Sequence, residues 1–296
     1  MFPVLFSIGT LPVSTYGILL TVGFLFGIFL IWRLSRAWDL DEEKILDLTL
    51  LTFLGGFLGA RIYFAIQHPE LFSGVFKIFL INKVPGFSFW GAVLGGWLTL
   101  FFLARIKKLD FLKIGDIASV GFLGGLIFAS LGCFFGGCNV GIPSKMFLAV
   151  SMIGMVGKRF PVQLLEAILL GFITWRVWST AIHFHTRGKI LSISLMYVGV
   201  VKFLLEPLRQ THDEGSFLSI VLFVLGVTML YKVTKRSPIN DLKAAGVFSS
   251  SLITDGNVRK QLFGRFKKYC YNRKTSVLWK IRNLKKTLRR RNVRFS

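Results

Sequence analysis

A short set of polar side chains sits inside otherwise apolar stretches of this chain. Arg61 lies late in "LGGFLGARIYFAIQHPE", Gln163 and Glu166 open an apolar run in "FPVQLLE", and Lys202, Glu206 and Arg209 follow one another through "VKFLLEPLRQ". A charge at the centre of a membrane helix costs about 2.5–3.5 kcal/mol on insertion scales, so each is a candidate for function by default. The residue types suggest which chemistry. Arginine grips a phosphate with two parallel N–H donors, lysine acts on it as a point charge, and carboxylates orient such cations. Lys202 and Glu206 are four apart and Arg209 three further on, so two readings stand side by side. One is a salt-bridged helix face that offsets its own desolvation. The other is a group of cations, Arg61 and Arg209 among them, that holds a lipid phosphate near the outer headgroups.

A second unusual stretch is "SLGCFFGGCNVGIPS", residues Ser130 to Ser144. Gly136, Gly137, Gly141 and Pro143 should break a helix there. Irregular backbone at membrane depth is tolerated only inside protein or beside a polar cavity, so the stretch is expected to line a site. Cys133 and Cys138 have neither a second cysteine pair nor a nearby histidine, which argues against zinc and for buried thiols. With Cys270 they are too few for a disulfide framework. The four histidines form no metal site either: His183 and His185 fall in one loop, and His68 and His212 on the other side.

These residues need a membrane scaffold. Of 296 residues 53% are hydrophobic and 17% charged, and the mean hydropathy is +0.62, which disfavours a soluble domain. Runs long enough to cross about 30 Å of hydrocarbon fall at roughly 14–34, 46–66, 88–105, 116–136, 163–183, 190–208 and 216–233. The fold class is therefore an all-α polytopic membrane protein of about seven spans. The start of the chain lacks the basic region and cleavage site of a short signal peptide, and runs straight into the first span. Basic groups follow spans one, three, five and seven (Arg33 and Arg36, "RIKK", "HFHTRGK", "YKVTKR"), which places the N-terminus outside and the C-terminus in the cytoplasm. Glycines four apart (Gly55 and Gly59, Gly91 and Gly95, Gly121 and Gly125, Gly132 and Gly136) suit close helix packing in lipid. Segment 137–162 is expected to lie partly in the outer interface.

The net charge of +23 belongs to the end of the chain. Residues 232–296 hold 19 of the 37 Lys and Arg but 2 of the 14 Asp and Glu. The organisation read from this is a membrane domain over 1–236, a linker over 237–257 and a basic amphipathic cytoplasmic tail over 258–296. Val258, Leu262, Phe263 and Phe266 share one helical face of the tail, and Val277, Ile281, Leu284 and Leu288 another. Such a helix, tethered to membrane spans, is expected to lie on anionic lipid and not to bind nucleic acid.

Taken in order, "STYGILLTVGF", "GARIYF", "GFSFWGAVLGG", "ASLGCFFGGCNVGIP", "FPVQLLEA" and "VKFLLEPLR" resemble the motifs of the prolipoprotein diacylglyceryl transferase family. The resemblance runs from about residue 10 to 233 and excludes the basic tail. It implies a multi-pass protein of the bacterial inner membrane. There it would move a diacylglyceryl group from phosphatidylglycerol onto the lipobox cysteine thiol in the signal-peptide region of a prolipoprotein, at the outer leaflet. No cofactor and no metal are implied. Carried onto this chain, the resemblance gives catalytic roles to Glu206, Arg209, Lys202 and Glu166. It assigns substrate binding to Tyr16, Arg61, Trp90, Ser130, Gly136, Gly137, Asn139, Gly141 and Gln163.

The chain departs from the family pattern at several of these positions. Trp90 stands where His or Tyr usually precedes the third-span glycine, and it cannot act as a base. Ser130 stands where an arginine usually opens the signature, Cys133 and Cys138 fill its polar or acidic positions, and Lys202 replaces an arginine. A charged hydrogen bond is worth about 1.5–3 kcal/mol, so losing the arginine at 130 removes roughly ten- to a hundredfold in a binding constant. Arg61, Arg209 or Lys202 are placed to compensate. The alternative is a catalytically altered or inactive paralogue that keeps the lipid-binding body and recruits partners through its tail.

Overall fold

A computed structural model describes residues 4–8, 11–72, 86–152, 155–183, 185–210, 215–235 and 237–238, with seven positions between 264 and 282. The chain divides into two units, Met1–Lys235 and Arg236–Ser296. His212, Cys270 and the apolar faces expected in the tail lie outside the described residues, as does almost all of the expected linker.

Among the described residues, seven helices of the first unit are long and apolar enough to cross a membrane. They are α1 (Thr15–Ala37), α2 (Glu42–Gln67), α3 (Phe89–Ile106), α4 (Phe111–Gly136), α5 (Val162–Ala181), α6 (Lys189–Leu205) and α7 (Gly215–Thr234). Each follows the expected span within a few residues, because apolar length alone decides where a chain can cross hydrocarbon. Capping sharpens the starts. The Ser14 hydroxyl accepts from Gly17 N, Asp41 from Lys44 N, and Asp110 from Leu112 and Lys113 N. These side chains satisfy amide donors that the first helical turn leaves orphaned.

The α1–α4, α2–α3 and α6–α7 pairs pack through glycine. A Cβ added to Gly27 of α1 would lie 2.9 Å from the Gly121 oxygen of α4. One at Gly59 of α2 would lie 2.6 Å from the Gly91 oxygen and 2.7 Å from Gly95 Cα of α3. On α6, a Cβ at Gly199 would lie 2.8 Å from the Ser219 oxygen of α7. In lipid no hydrophobic force pulls helices together, so close backbone approach is what holds them. Helix α4 also packs on α5 and α6. Leu123, Ile117, Leu34, Leu48, Leu170 and Ile190 fill the interior between these helices. Phe29, Leu54, Phe102, Phe172 and Phe203 remain exposed on the outside, as a lipid-facing surface requires.

Two small antiparallel hairpins were not foreseen, since strands this short carry too little alternation to register against apolar spans. β1 (Val4–Ile8) pairs with β2 (Leu11–Ser14) just before α1, and β3 (Val150–Ser151) pairs with β4 (Lys158–Arg159) between α4 and α5. The second hairpin extends into a cap. Ile142 N donates to Leu208 O at 3.0 Å and Gln210 N to Val140 O at 2.9 Å. Phe160 N donates to Ile142 O at 3.1 Å and Ser144 N to Lys158 O at 3.0 Å. Residues 140–144 thus run between the exit of α6 and the entry of α5. At the opposite end of the bundle, Asp116 of α4 is fully buried and accepts from Gly188 N and Leu191 N, both at 2.7 Å. A carboxylate on one helix thereby caps another, and His185 Nε2 stands 3.7 Å from it. Asp116 sits near the basic end of its span, where a carboxylate does not stand out in the sequence.

Candidate functional site

The end of the bundle that carries the cap also gathers the polar side chains. Gln163 and Glu166 lie in the first turns of α5, and Lys202 in the last turn of α6. Pro207 lacks an amide hydrogen and cannot continue the helical ladder, so α6 gives way to one 3-10 turn over Glu206–Leu208, after which Arg209 is extended (φ −91°, ψ 148°). The turn tightens the chain and swings Arg209 inward.

Glu166 is the hub. Its Oε1 lies 2.7 Å from Lys202 Nζ and its Oε2 lies 3.1 Å from Arg209 Nη2. Arg209 Nη1 stands 3.5 Å from Glu206 Oε2. All four side chains are 12% exposed or less. Both sequence readings of this face are therefore refined: Lys202 pairs across helices with Glu166 and not along its own helix with Glu206. Two cations and two carboxylates balance in formal charge, yet donor capacity is left over. The buried Arg209 Nε has no hydrogen-bond partner among the described residues, and the Lys202 ammonium stands 4.0 Å from the centre of the Phe89 ring.

Arg61 is buried, and its contacts among the described residues lie with a different set of groups. Its Nη1 donates to Gly86 O at 2.8 Å, and its guanidinium lies 5.2 Å from the Phe72 ring, 5.7 Å from Phe87 and 6.0 Å from Phe64. Aromatic faces attract cations through the ring quadrupole. The chain from Gly86 to Phe89 thus contacts Arg61 through its first two residues and Lys202 through its last. Trp90, next along, packs edge-on against Phe89 at 5.1 Å.

The glycine-rich stretch forms the floor of the cap. Helix α4 ends at Gly136, and Gly137 takes the left-handed conformation (φ 77°) that glycine adopts without strain. Cys133 and Cys138 are joined by a disulfide. This corrects the expectation of free thiols: breaking the helix at Gly136 and Gly137 turns Cys138 back onto the last turn of α4. Asn139, also at positive φ, sets its amide 3.8 Å from Cys133 Sγ. Gln163 Nε2 donates to the carbonyls of Cys138 at 2.6 Å and Asn139 at 3.0 Å, locking the loop to α5. Gly141 bridges to Arg209, and a Cβ there would overlap the carbonyl oxygen of Phe160. Tyr16 of α1 packs against Gly132 and Gly136, and Ser130 is buried one turn further in.

Sequence reasoning missed one cation at this end of the bundle. Arg159 is 8% exposed, donates to Gln210 Oε1 at 2.6 Å, and has Nη1 3.5 Å from Gly141 O. In the sequence it is one residue of the interfacial segment 137–162. Its position just before "FPVQLLE" was the available signal, but its partner Gln210 lies 51 residues away, which no local pattern reveals.

A family model described as prolipoprotein diacylglyceryl transferase matches residues 3–232, which takes in α1 to α6 and all but the last two residues of α7. Among curated proteins, the phosphatidylglycerol–prolipoprotein diacylglyceryl transferase of Clostridium tetani is 24% identical over 252 residues, covering 77% of this chain and 96% of that one. The protein of that name from Staphylococcus haemolyticus is 29% identical over 258 residues, covering 80% and 90%. That of Vibrio cholerae serotype O1 is 30% identical over 268 residues, covering 82% and 95%. With the match spanning nearly all of the seven-helix unit and all the residues gathered at its capped end, the chain belongs to the prolipoprotein diacylglyceryl transferase family.

Proposed function

We propose that this multi-pass inner-membrane transferase moves the diacylglyceryl group of phosphatidylglycerol to the lipobox cysteine thiol of a prolipoprotein, with its capped end at the outer leaflet. A sulfur–carbon bond forms and the glycerol carbon–oxygen bond breaks. The thiol proton goes to a base, and glycerol phosphate departs with the bonding electrons. The observation that carries this reading is Glu166 holding Lys202 and Arg209 side by side at the capped end. Fixed cations in a water-poor site stabilise charge on a leaving phosphate without reorganising. Glu166 positions them. Glu206, 3.5 Å from Arg209, would take the proton in this reading, since Trp90 has no basic atom. Tyr16, Ser130, Asn139 and Gln163 would shape the lipid pocket around Gly136, Gly137 and Gly141, with Arg61 at its edge. The orientation rests on Arg33, Arg36, Arg105, Lys107 and Lys108, which all lie at the end opposite the cap. We assign the basic tail to anionic lipid on the cytoplasmic side.

The test is lipidation of a reporter prolipoprotein in a strain depleted of its own transferase. Rescue is expected. Lys202→Ala and Arg209→Ala should each lower it by roughly ten- to a hundredfold, the worth of one charged hydrogen bond. A second reading, an altered paralogue that binds lipid without turnover, is favoured by one observation: the four charges balance and Ser130 adds no cation. Stable, inserted protein without any lipidation would establish it.

A further inference from the structure

The hairpin between α4 and α5 presents an unusual surface. Phe147 is 91% and Val156 96% exposed, and Met146, Leu148 and Met155 beside them are 55%, 51% and 40% exposed. A loop facing water seldom sets five large apolar side chains outward together. These residues are not trailing ends. β3 and β4 pair between them, with Val150 opposite Arg159 and Ser151 opposite Lys158. Ala149 and Met152 are buried beneath. Arg159 anchors the base through Gln210 and Gly141. A paired stem, anchored through Arg159, therefore carries these exposed apolar side chains.

Two observations name the occupant. The apolar side chains are flanked by exposed lysines, Lys145 directly before Met146 and Lys158 two residues after Val156, an arrangement that buries apolar groups below lipid phosphates while the ammonium groups stay among them. Both helices that the hairpin joins are spans, so it starts and ends at one bilayer surface. We propose that Met146, Phe147, Leu148, Met155 and Val156 insert into the leaflet at the capped face, with Lys145 and Lys158 on anionic headgroups. Their insertion tethers the Gly141 and Arg159 cap at phosphate depth. The partner is the lipid surface itself, phosphatidylglycerol-type anionic lipid included, and the proposal holds whether or not the site turns over.

The experiment uses the full-length chain in proteoliposomes of phosphatidylglycerol and phosphatidylethanolamine. An environment-sensitive fluorophore is placed at Phe147→Cys or Val156→Cys in a Cys270→Ser background, with Lys108→Cys at the opposite end of the bundle as the water-exposed reference. Labels at 147 and 156 should emit at shorter wavelength, be quenched by nitroxides on lipid acyl chains, and show several-fold less iodide quenching than the label at 108. Replacing phosphatidylglycerol by phosphatidylcholine should raise iodide access, and Lys145→Gln with Lys158→Gln should abolish that lipid dependence. Iodide quenching at both 147 and 156 equal to that at 108 overturns the proposal. So does protection that arises only when a lipobox peptide is added, which would make these side chains a peptide-docking surface. Neither outcome depends on lipidation activity, so it is separable from failure of the proposed reaction.

Discussion

Glu166 is the residue on which the site turns, because one carboxylate serves two cations on two different oxygens. Removing one partner of a buried ion pair leaves an uncompensated charge and costs about 3–5 kcal/mol. Glu166→Gln is therefore expected to lower thermal stability in detergent by that order. Lys202→Met in the same background should restore part of the loss, because it removes the stranded ammonium. A double-mutant cycle by thermal melting checks this, and additive losses would contradict it. The cystine makes a second residue-scale prediction. Mass spectrometry after alkylation under denaturing conditions should find two more modified thiols once the protein is reduced. Neither feature was evident in the chain as text. The charged residues themselves were legible, since each is conspicuous against an apolar background. Their pairing was not, because Glu166 and Lys202 are 36 positions apart and meet only where α5 and α6 pack.

At the scale of elements, the helices are joined through missing side chains. At Gly59 a Cβ would lie 2.6 Å from the Gly91 oxygen of α3, whereas at Gly171 of α5 nothing lies within 4 Å. Gly59→Leu should force α2 and α3 apart and greatly reduce folded, detergent-extractable protein. Gly171→Leu, facing open space, should extract normally. Size-exclusion yield of the two variants reads the difference, and equal yields would remove the close-packing account. Helix existence and the glycine spacing were visible along the chain, because length in hydrocarbon and a four-residue repeat are local properties. The hairpins were not. Two-residue strands such as β3 and β4 exist because residues 140–144 and 208–210 offer them neighbours, and that is decided by where α4, α5 and α6 end.

For the whole molecule, a fluorescent protein fused after Ser296 should fluoresce and alkaline phosphatase at the same position should stay inactive, as a cytoplasmic C-terminus requires. A chain ended at residue 236 should still insert and keep lipidation activity in the depleted strain, since the family match stops at residue 232. Loss of insertion in that truncation would show that the tail is no accessory. What the sequence determined by itself was the solvent the chain folds in, the number of crossings and the set of polar groups too costly to leave in lipid. Those follow from composition and from the price of a charge in hydrocarbon, both summed along the chain. Only the tertiary structure decided that Glu166 joins Lys202 to Arg209 while Arg61 stands among aromatic rings, that Cys133 meets Cys138, and that Arg159 ties the cap to Gln210. Those are relations between distant segments, and they come into being when glycine-lined helices close on one another and Pro207 and Gly137 end two of them at the same face.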